Sequence, residues 1–333
     1  MKSKLFLKYE IYKILHKYSD DNHSLSLNEI QNYLRESGFE KNDETVKRAI
    51  LSLKNDFDVD IITTVGRNAG YHIGNRYFEL TELKLLIDAV HAANFVGKHN
   101  VERICGKLKN LTSIYENEKL ERQVLGISVA KRDNEKIMYV VDSLWKAMNG
   151  NWQVEFDYLA WSPEKQLIKK RNKRYKVSPW ALIWANDRYY LYGYRRRDGE
   201  KLVESNFRVD KIDNLDIVER KREGQQLFKN FDATSYVSKR LGMFSGSECT
   251  ITVRASAELV GAFIDQFGKQ IVIQKCNEEE CDDVLITFVA VNSPNLLGWL
   301  IGLQSVHILE PSALKKDMYE LLKRNIVYYS DEQ

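Results

Sequence analysis

Arginines and tyrosines crowd one stretch of this sequence, Pro179 to Ile212, which reads PWALIWANDRYYLYGYRRRDGEKLVESNFRVDKI. A guanidinium makes paired hydrogen bonds to a phosphate, and a tyrosine ring offers a flat face to a base. The chemistry expected is therefore recognition of an anionic, stackable ligand. Two runs, Tyr189–Tyr194 and Ser205–Ile212, are joined through Arg195-Arg196-Arg197-Asp198-Gly199, and Asp-Gly is a hairpin signal. Residues 164–211 hold 14 Lys or Arg against 6 Asp or Glu, although the whole chain carries only +3. Arg208 leads the candidate ligand contacts, with Lys176 or Arg195 assisting on phosphate. Tyr158 or Tyr190 can pack beside a base, and Ser178 and Asn206 can orient it by hydrogen bonding. The alternative is that such rings plug a small β core, where Trp180, Trp184 and Leu191 are placed.

Those side chains need strands to hold them. Trp152–Trp161, Tyr175–Pro179, Leu182–Trp184, Tyr189–Tyr194, Leu202–Val209 and Ile212–Val218 have strand character. Short strands between Asn-Asp and Asp-Gly turns suit a small barrel. Upstream, apolar spacing predicts a helix over 5–18, and Ser26 with Glu29 forms a capping box for a second. A third helix buries Val46, Ala49, Ile50 and Leu53 and offers Thr45, Lys47, Arg48 and Ser52 outward. Strands at Ile61–Val65 and Tyr71–Ile73 flank a Gly66–Gly70 tip carrying Arg67 and Asn68. That order is a winged helix-turn-helix, whose third helix enters a major groove while the wing meets backbone or minor groove. A packing module with a merely solvated polar face is the alternative.

Helices are also expected at Glu79–Asn94, capped by Thr81, and at Asn100–Leu111. Residues 112–133 read as a linker or dimer-forming helix, and Ile137–Met148 as a further helical stripe. Residues 249–325 alternate strand-helix-strand-strand-helix-strand, the ferredoxin-like order. Glu278, Glu279, Glu280, Asp282 and Asp283 read as a solvated turn rather than a calcium site. His91 and His99 lack metal-ligand company, and Trp299 is assigned to core. An apolar fraction of 44% supports packed cores. Cys105, Cys249, Cys276 and Cys281 lack metal-site spacing and suit a reducing compartment. No apolar run reaches membrane-spanning length, so a cytoplasmic protein without membrane contact is expected. No phosphate loop, metalloprotease, hydrolase or deaminase motif is present, which points to a non-enzyme without cofactor or metal.

With these motifs in view, the whole chain resembles bacterial transcriptional regulators of the WYL family. The name-giving tripeptide is represented by Tyr189-Tyr190-Leu191, with Tyr189 in place of tryptophan. Tyr175-x-Val177-Ser178-Pro179 and Asn206-Phe207-Arg208-Val209-Asp210-Lys211-Ile212 match the flanking motifs. Ser178 stands where many relatives have histidine. The resemblance implies a winged helix-turn-helix, an SH3-like β barrel thought to bind nucleic-acid or nucleotide-like effectors, and a C-terminal extension. Arg208 matches a family pocket arginine. Leu297-Gly298-Trp299-Leu300-Ile301-Gly302 resembles part of that extension, which is associated with dimerisation and effector gating. The expected fold class is multidomain α+β. Its segments are a DNA-binding domain (1–78), a helical linker and dimerisation region (79–133), a sensing domain (134–222), a linker (223–248) and a ferredoxin-like domain (249–333). The expected function is a homodimeric regulator, by default a repressor, binding an inverted-repeat duplex operator and sensing single-stranded nucleic acid or a cyclic nucleotide. An RNA-binding or nucleic-acid-processing accessory protein, or an anion-binding scaffold, are the alternatives.

Overall fold

The structure, a computed structural model, describes residues 4–66, 69–93, 95–123, 136–197, 201–276 and 282–330. The chain divides into two compact units, Met1–Glu135 and Lys136–Gln333, with mixed α and β structure.

The first unit opens with α1 (Lys4–Tyr18), α2 (Leu27–Glu36) and α3 (Asp43–Asp56). Ser26 caps α2: its hydroxyl accepts from the Glu29 N–H, and the Glu29 carboxylate accepts from the Ser26 N–H. Asn42 caps α3 by accepting from the Thr45 N–H at 3.0 Å. Such caps satisfy amide donors that the first helical turn leaves open. Apolar residues at helical spacing then converge on one core: Ile11 and Leu15, Ile30 and Leu34, Val46, Ile50 and Leu53. Burying each such side chain contributes about 1.5–3 kcal/mol.

An antiparallel hairpin follows, β1 (Ile61–Thr64) with β2 (Gly70–Ile73). Leu25 and Tyr71 exchange two backbone hydrogen bonds, tying the chain before α2 to the hairpin. A Cβ at Gly70 would lie 2.6 Å from the Leu25 carbonyl oxygen, so this approach requires glycine. Next come α4 (Leu80–Ala92), α5 (Lys98–Lys109) and α6 (Ile114–Gln123). The cap of α4 is Glu79 rather than Thr81: the Glu79 N–H donates to the Glu82 carboxylate at 2.9 Å. The Ser113 hydroxyl, just before α6, donates to Asp20 at 2.7 Å, and His23 reaches the other Asp20 oxygen at 2.7 Å. Burial works against the Asp20 charge, but these bonds outweigh it and hold its pKa below the usual carboxylate value.

The second unit begins with α7 (Ile137–Asn149) and a six-stranded sheet: β3 (Trp152–Trp161), β4 (Leu167–Lys169), β5 (Tyr175–Ala185), β6 (Arg188–Arg197), β7 (Lys201–Arg208) and β8 (Ile212–Lys221). Strand β3 pairs with β4, β5 and β8, while β5, β6 and β7 pair in succession. Because β7 and β8 are sequence neighbours on opposite sides of β3, the sheet must curl. Tyr158 on β3 accordingly meets the end of β7, its hydroxyl accepting from the Arg208 N–H at 3.2 Å.

The two short strands expected at Tyr175–Pro179 and Leu182–Trp184 are one strand, β5, with a register shift between Pro179 and Ala181. Proline has no N–H for the ladder, so the irregularity falls beside it. A Cβ at Gly193, opposite Pro179, would lie 2.3 Å from the Ser178 carbonyl oxygen, so the partner strand needs glycine here. Asn186 and Asp187 both adopt positive φ in the β5–β6 turn, the conformation of a tight hairpin. Trp184 departs from its core assignment: it is 49% exposed and packs edge-on to Tyr189, while Leu191 is fully buried. Beside the turn, strand alternation places Ile183 and Ala185 inward and Trp184 outward.

Two short helices, α8 (Gln225–Phe228) and α9 (Ala233–Ser238), lead to a four-stranded antiparallel sheet in the order β10-β11-β9-β12. Its strands are β9 (Glu248–Ser256), β10 (Val272–Lys275), β11 (Asp283–Val291) and β12 (Val306–Glu310). Helix α10 (Val260–Phe267) follows β9, and α11 (Pro294–Gly302) follows β11. Phe263, Phe267, Phe288 and Leu300 share its core, with Trp299 edge-on to Phe263. A last helix, α12 (Ser312–Ser330), was not expected from the sequence. Leu314 is its buried anchor, with Met318 and Leu321 packed beside it at helical spacing. Glu278, Glu279 and Glu280 lie outside the described residues, whereas Asp283 pairs with Arg254 at 2.7 Å. Among the described residues no helix is long and apolar enough to cross a membrane.

Candidate functional site

The curled sheet and the C-terminal part enclose a groove of about 1000 Å³. On the sheet side it is lined by Tyr158, Tyr175, Tyr190, Arg195, Asn206 and Arg208; on the other side lie Leu241 to Ser245, Gln266 and Asn295. Lys170, Arg188, Arg197 and Lys211 also line it, so that six cationic residues face one carboxylate, Glu204, among the described lining residues. Charges of one sign concentrated in a low-dielectric cleft raise the local concentration of an oppositely charged ligand.

Arg208 is held by its own turn. Its Nε donates to Asp210 Oδ1 at 3.0 Å and its Nη2 to Oδ2 at 2.7 Å. Asp210 is buried and Arg208 is largely so. This side-on pairing uses one edge of the guanidinium and leaves Nη1 and the second Nη2 hydrogen on the other edge, the fork that suits a phosphate. Burial works against the charge on Arg208, but the Asp210 carboxylate outweighs it and the net shift is upward, so the guanidinium stays charged.

Aromatic rings support the same wall. Phe207 lies edge-on to Phe156, Tyr158 and Tyr175 at centroid distances of 5.1, 5.2 and 4.9 Å. The Arg171 guanidinium sits 3.5 Å above the Tyr175 ring, within cation–π range. Arg195 Nε donates to the Ser205 hydroxyl at 3.0 Å. Asn206 Nδ2 donates to the Tyr236 hydroxyl at 2.7 Å, and its Oδ1 is buried without a protein partner. Burial raises the Tyr158 phenol above its ordinary pKa, so it is a neutral hydrogen-bonding group at physiological pH.

Of the seven sequence candidates the groove thus gathers Tyr158, Tyr190, Arg195, Asn206 and Arg208. Ser178 and Lys176 stand apart. The buried Ser178 hydroxyl accepts from the Glu223 N–H at 2.9 Å, a structural bond that leaves it outside the groove lining. Lys176 lies 3.5 Å from Glu155 on the neighbouring strand, where β5 alternation turns it away from the lining. Lys170, Arg188, Lys211 and Asp210 were missed. For Asp210 a signal existed: an acid two residues after Arg208, at a strand end.

In the first unit Lys47 and Arg48 are exposed on α3. Arg48 pairs with Glu44 one turn earlier on the same exposed face, an arrangement worth little in water. The Thr45 hydroxyl donates to Asn42 at 2.6 Å, and that of Ser52 donates to Asp56. Both hydroxyls therefore serve their own helix here. Arg67 and Asn68, assigned to the hairpin tip, lie outside the described residues.

No curated protein matches the sequence. Among solved structures it is similar to proteasome accessory factor B/C (PafBC) of Arthrobacter aurescens, at 16% identity and a TM-score of 0.30, over 98% of this chain and 49% of that one. The chain therefore spans about half the length of that relative. A CRISPR Cas-related protein is similar at 12% identity and a TM-score of 0.39, over 99% of this chain and 86% of that one. The family model for the WYL domain matches residues 139–217, which contain Arg208, Asp210 and the tyrosine wall of the groove. Residues 139–217 are thus a WYL domain.

Proposed function

We propose that this chain is a DNA-binding transcription regulator whose groove senses an anionic, nucleotide-like effector. The observation that carries the reading is Arg208, fixed side-on by Asp210 among five other cations and the tyrosines. Phosphate oxygens meet the open guanidinium edge, and a base packs against Tyr158 or Tyr190. The first unit is read as a winged helix-turn-helix with α3 as recognition helix and the β1–β2 hairpin as wing. The groove-bearing sheet is read as an SH3-like barrel and the last four strands as a ferredoxin-like domain. The protein acts as a homodimer on an inverted repeat, a repressor by default, without catalysis. Effector binding must favour one dimer geometry to change operator affinity.

Genomic fragments recovered with the purified protein define the operator. Short single strands and cyclic nucleotides are then titrated with and without operator. The expected result is saturable effector binding that shifts operator affinity and is lost in folded Arg208→Ala. Effector response equal to the parent in that variant removes Arg208 from the sensor, and recovery of no specific duplex rules out the regulator.

A further inference from the structure

Glu204 puts a negative charge where an anionic ligand is to bind, yet its carboxylate is already engaged from behind. The Tyr236 hydroxyl donates to Oε1 at 2.6 Å and the Tyr192 hydroxyl to Oε2 at 3.3 Å. Arg240 Nη2 lies 3.5 Å from Oε1. Arg240 is itself buried and stacks 3.6 Å from the Tyr236 ring. Its Nη1 donates to the Tyr236 carbonyl at 3.1 Å and to Glu248 Oε1 at 3.2 Å. A buried guanidinium is tolerated only when paired, and here two carboxylates from different sheets share it. Arg240 does not line the groove, but the residues directly after it, Leu241 to Ser245, form the facing wall, and Glu248 then opens β9. Ion pairs from Arg240 thus grip both β7 and the far end of that wall segment.

We infer that Arg240 is a positioning residue that sets the anion affinity of the groove: it masks the Glu204 charge and anchors the 241–245 wall. The inference rests on the groove being an anion site. Displacing Arg240 turns Glu204 into a repulsive group and expels the ligand, so the ion pair acts as a control on occupancy placed outside the cation-lined face.

The test uses the full chain and a short fluorescent single-stranded oligonucleotide, with cyclic dinucleotides as a second probe, read by anisotropy. Urea midpoints are measured on the same samples. Arg240→Met is expected to weaken binding roughly tenfold, a change equivalent to about 1.4 kcal/mol. Glu204→Gln alone tightens binding about twofold. The double variant Arg240→Met, Glu204→Gln returns to within about threefold of the parent, a rescue that lost wall packing cannot give. Tyr236→Phe, which removes the shortest hydrogen bond to Glu204, weakens binding about threefold and is rescued by the same glutamine. That arm decides the matter should Arg240→Met not fold. Parental affinity in both Arg240→Met and Tyr236→Phe, or a double variant as weak as its Arg240→Met parent, overturns the mask alone. A parent that binds neither probe removes the anion reading of the groove, and the mask falls with it.

Discussion

Helix α3 and the groove both display arginine, but they hold it differently. Arg48 and its partner Glu44 are more than two-thirds exposed on one helix face, whereas Arg208 grips a buried Asp210 by two bonds and Tyr158 fixes its backbone. The first arrangement suits a long, uniformly charged partner such as duplex DNA, against which side chains can rearrange. The second suits a small ligand whose phosphate must land at one place. Mobility of charge is thus a property of the surroundings rather than of the residue type.

Breaking the two pairs tests this difference most strongly. Arg208→Ala strands the Asp210 charge and is expected to cost on the order of 3 kcal/mol in urea unfolding. Arg48→Ala changes stability by less than about 0.5 kcal/mol. Equal losses would erase the distinction. Replacing Arg208 by Met and Asp210 by Leu together should recover much of the stability while abolishing ligand binding, which separates packing from recognition.

A smaller effect sharpens the groove side. Arg208→Lys keeps the charge but cannot present a fork after pairing with Asp210, so effector affinity is expected to fall roughly tenfold with little change in fold. Binding indistinguishable from the parent would show that charge alone suffices. On the helix side, Lys47→Ala should reduce the slope of log affinity against log salt by about 0.9 if Lys47 meets a phosphate. An unchanged slope places Lys47 off the DNA.

The smallest expected change concerns acid. Asn214 and Lys169 hydrogen bonds hold the Asp157 carboxyl below its ordinary pKa. Its contribution is therefore present above the unfolded pKa, near 3.9, and fades as pH falls through the lower folded value. Asp157→Asn should flatten the acid limb of the urea midpoint profile there, and an unaltered limb would remove Asp157 as its source.

The readability of these regions from sequence follows the range of their interactions. Ser26 and Glu29, or Val46, Ile50 and Leu53, act within a few residues, and their spacing was enough. The β5 irregularity was missed because Pro179 looked like a strand end, while the ladder with β6 continues past it. Ser178 and Lys176 were misplaced for a related reason: which strand face meets the groove depends on curling of the sheet. Five of the groove candidates were legible because they cluster on β3, β6 and β7. The facing wall, Leu241 to Ser245, carried no comparable signal, since its role comes only from tertiary approach.

The side-on pair of Arg208 and Asp210 has a thermodynamic consequence. An arginine free in solvent loses rotamer entropy when it seizes a phosphate, roughly 0.5–1.5 kcal/mol for such a side chain. Arg208 gives up much of that freedom during folding. On the proposed reading, a phosphate contact made by Arg208 should therefore carry a smaller conformational-entropy loss than one made by the exposed Arg48, so the groove could hold a ligand with few contacts.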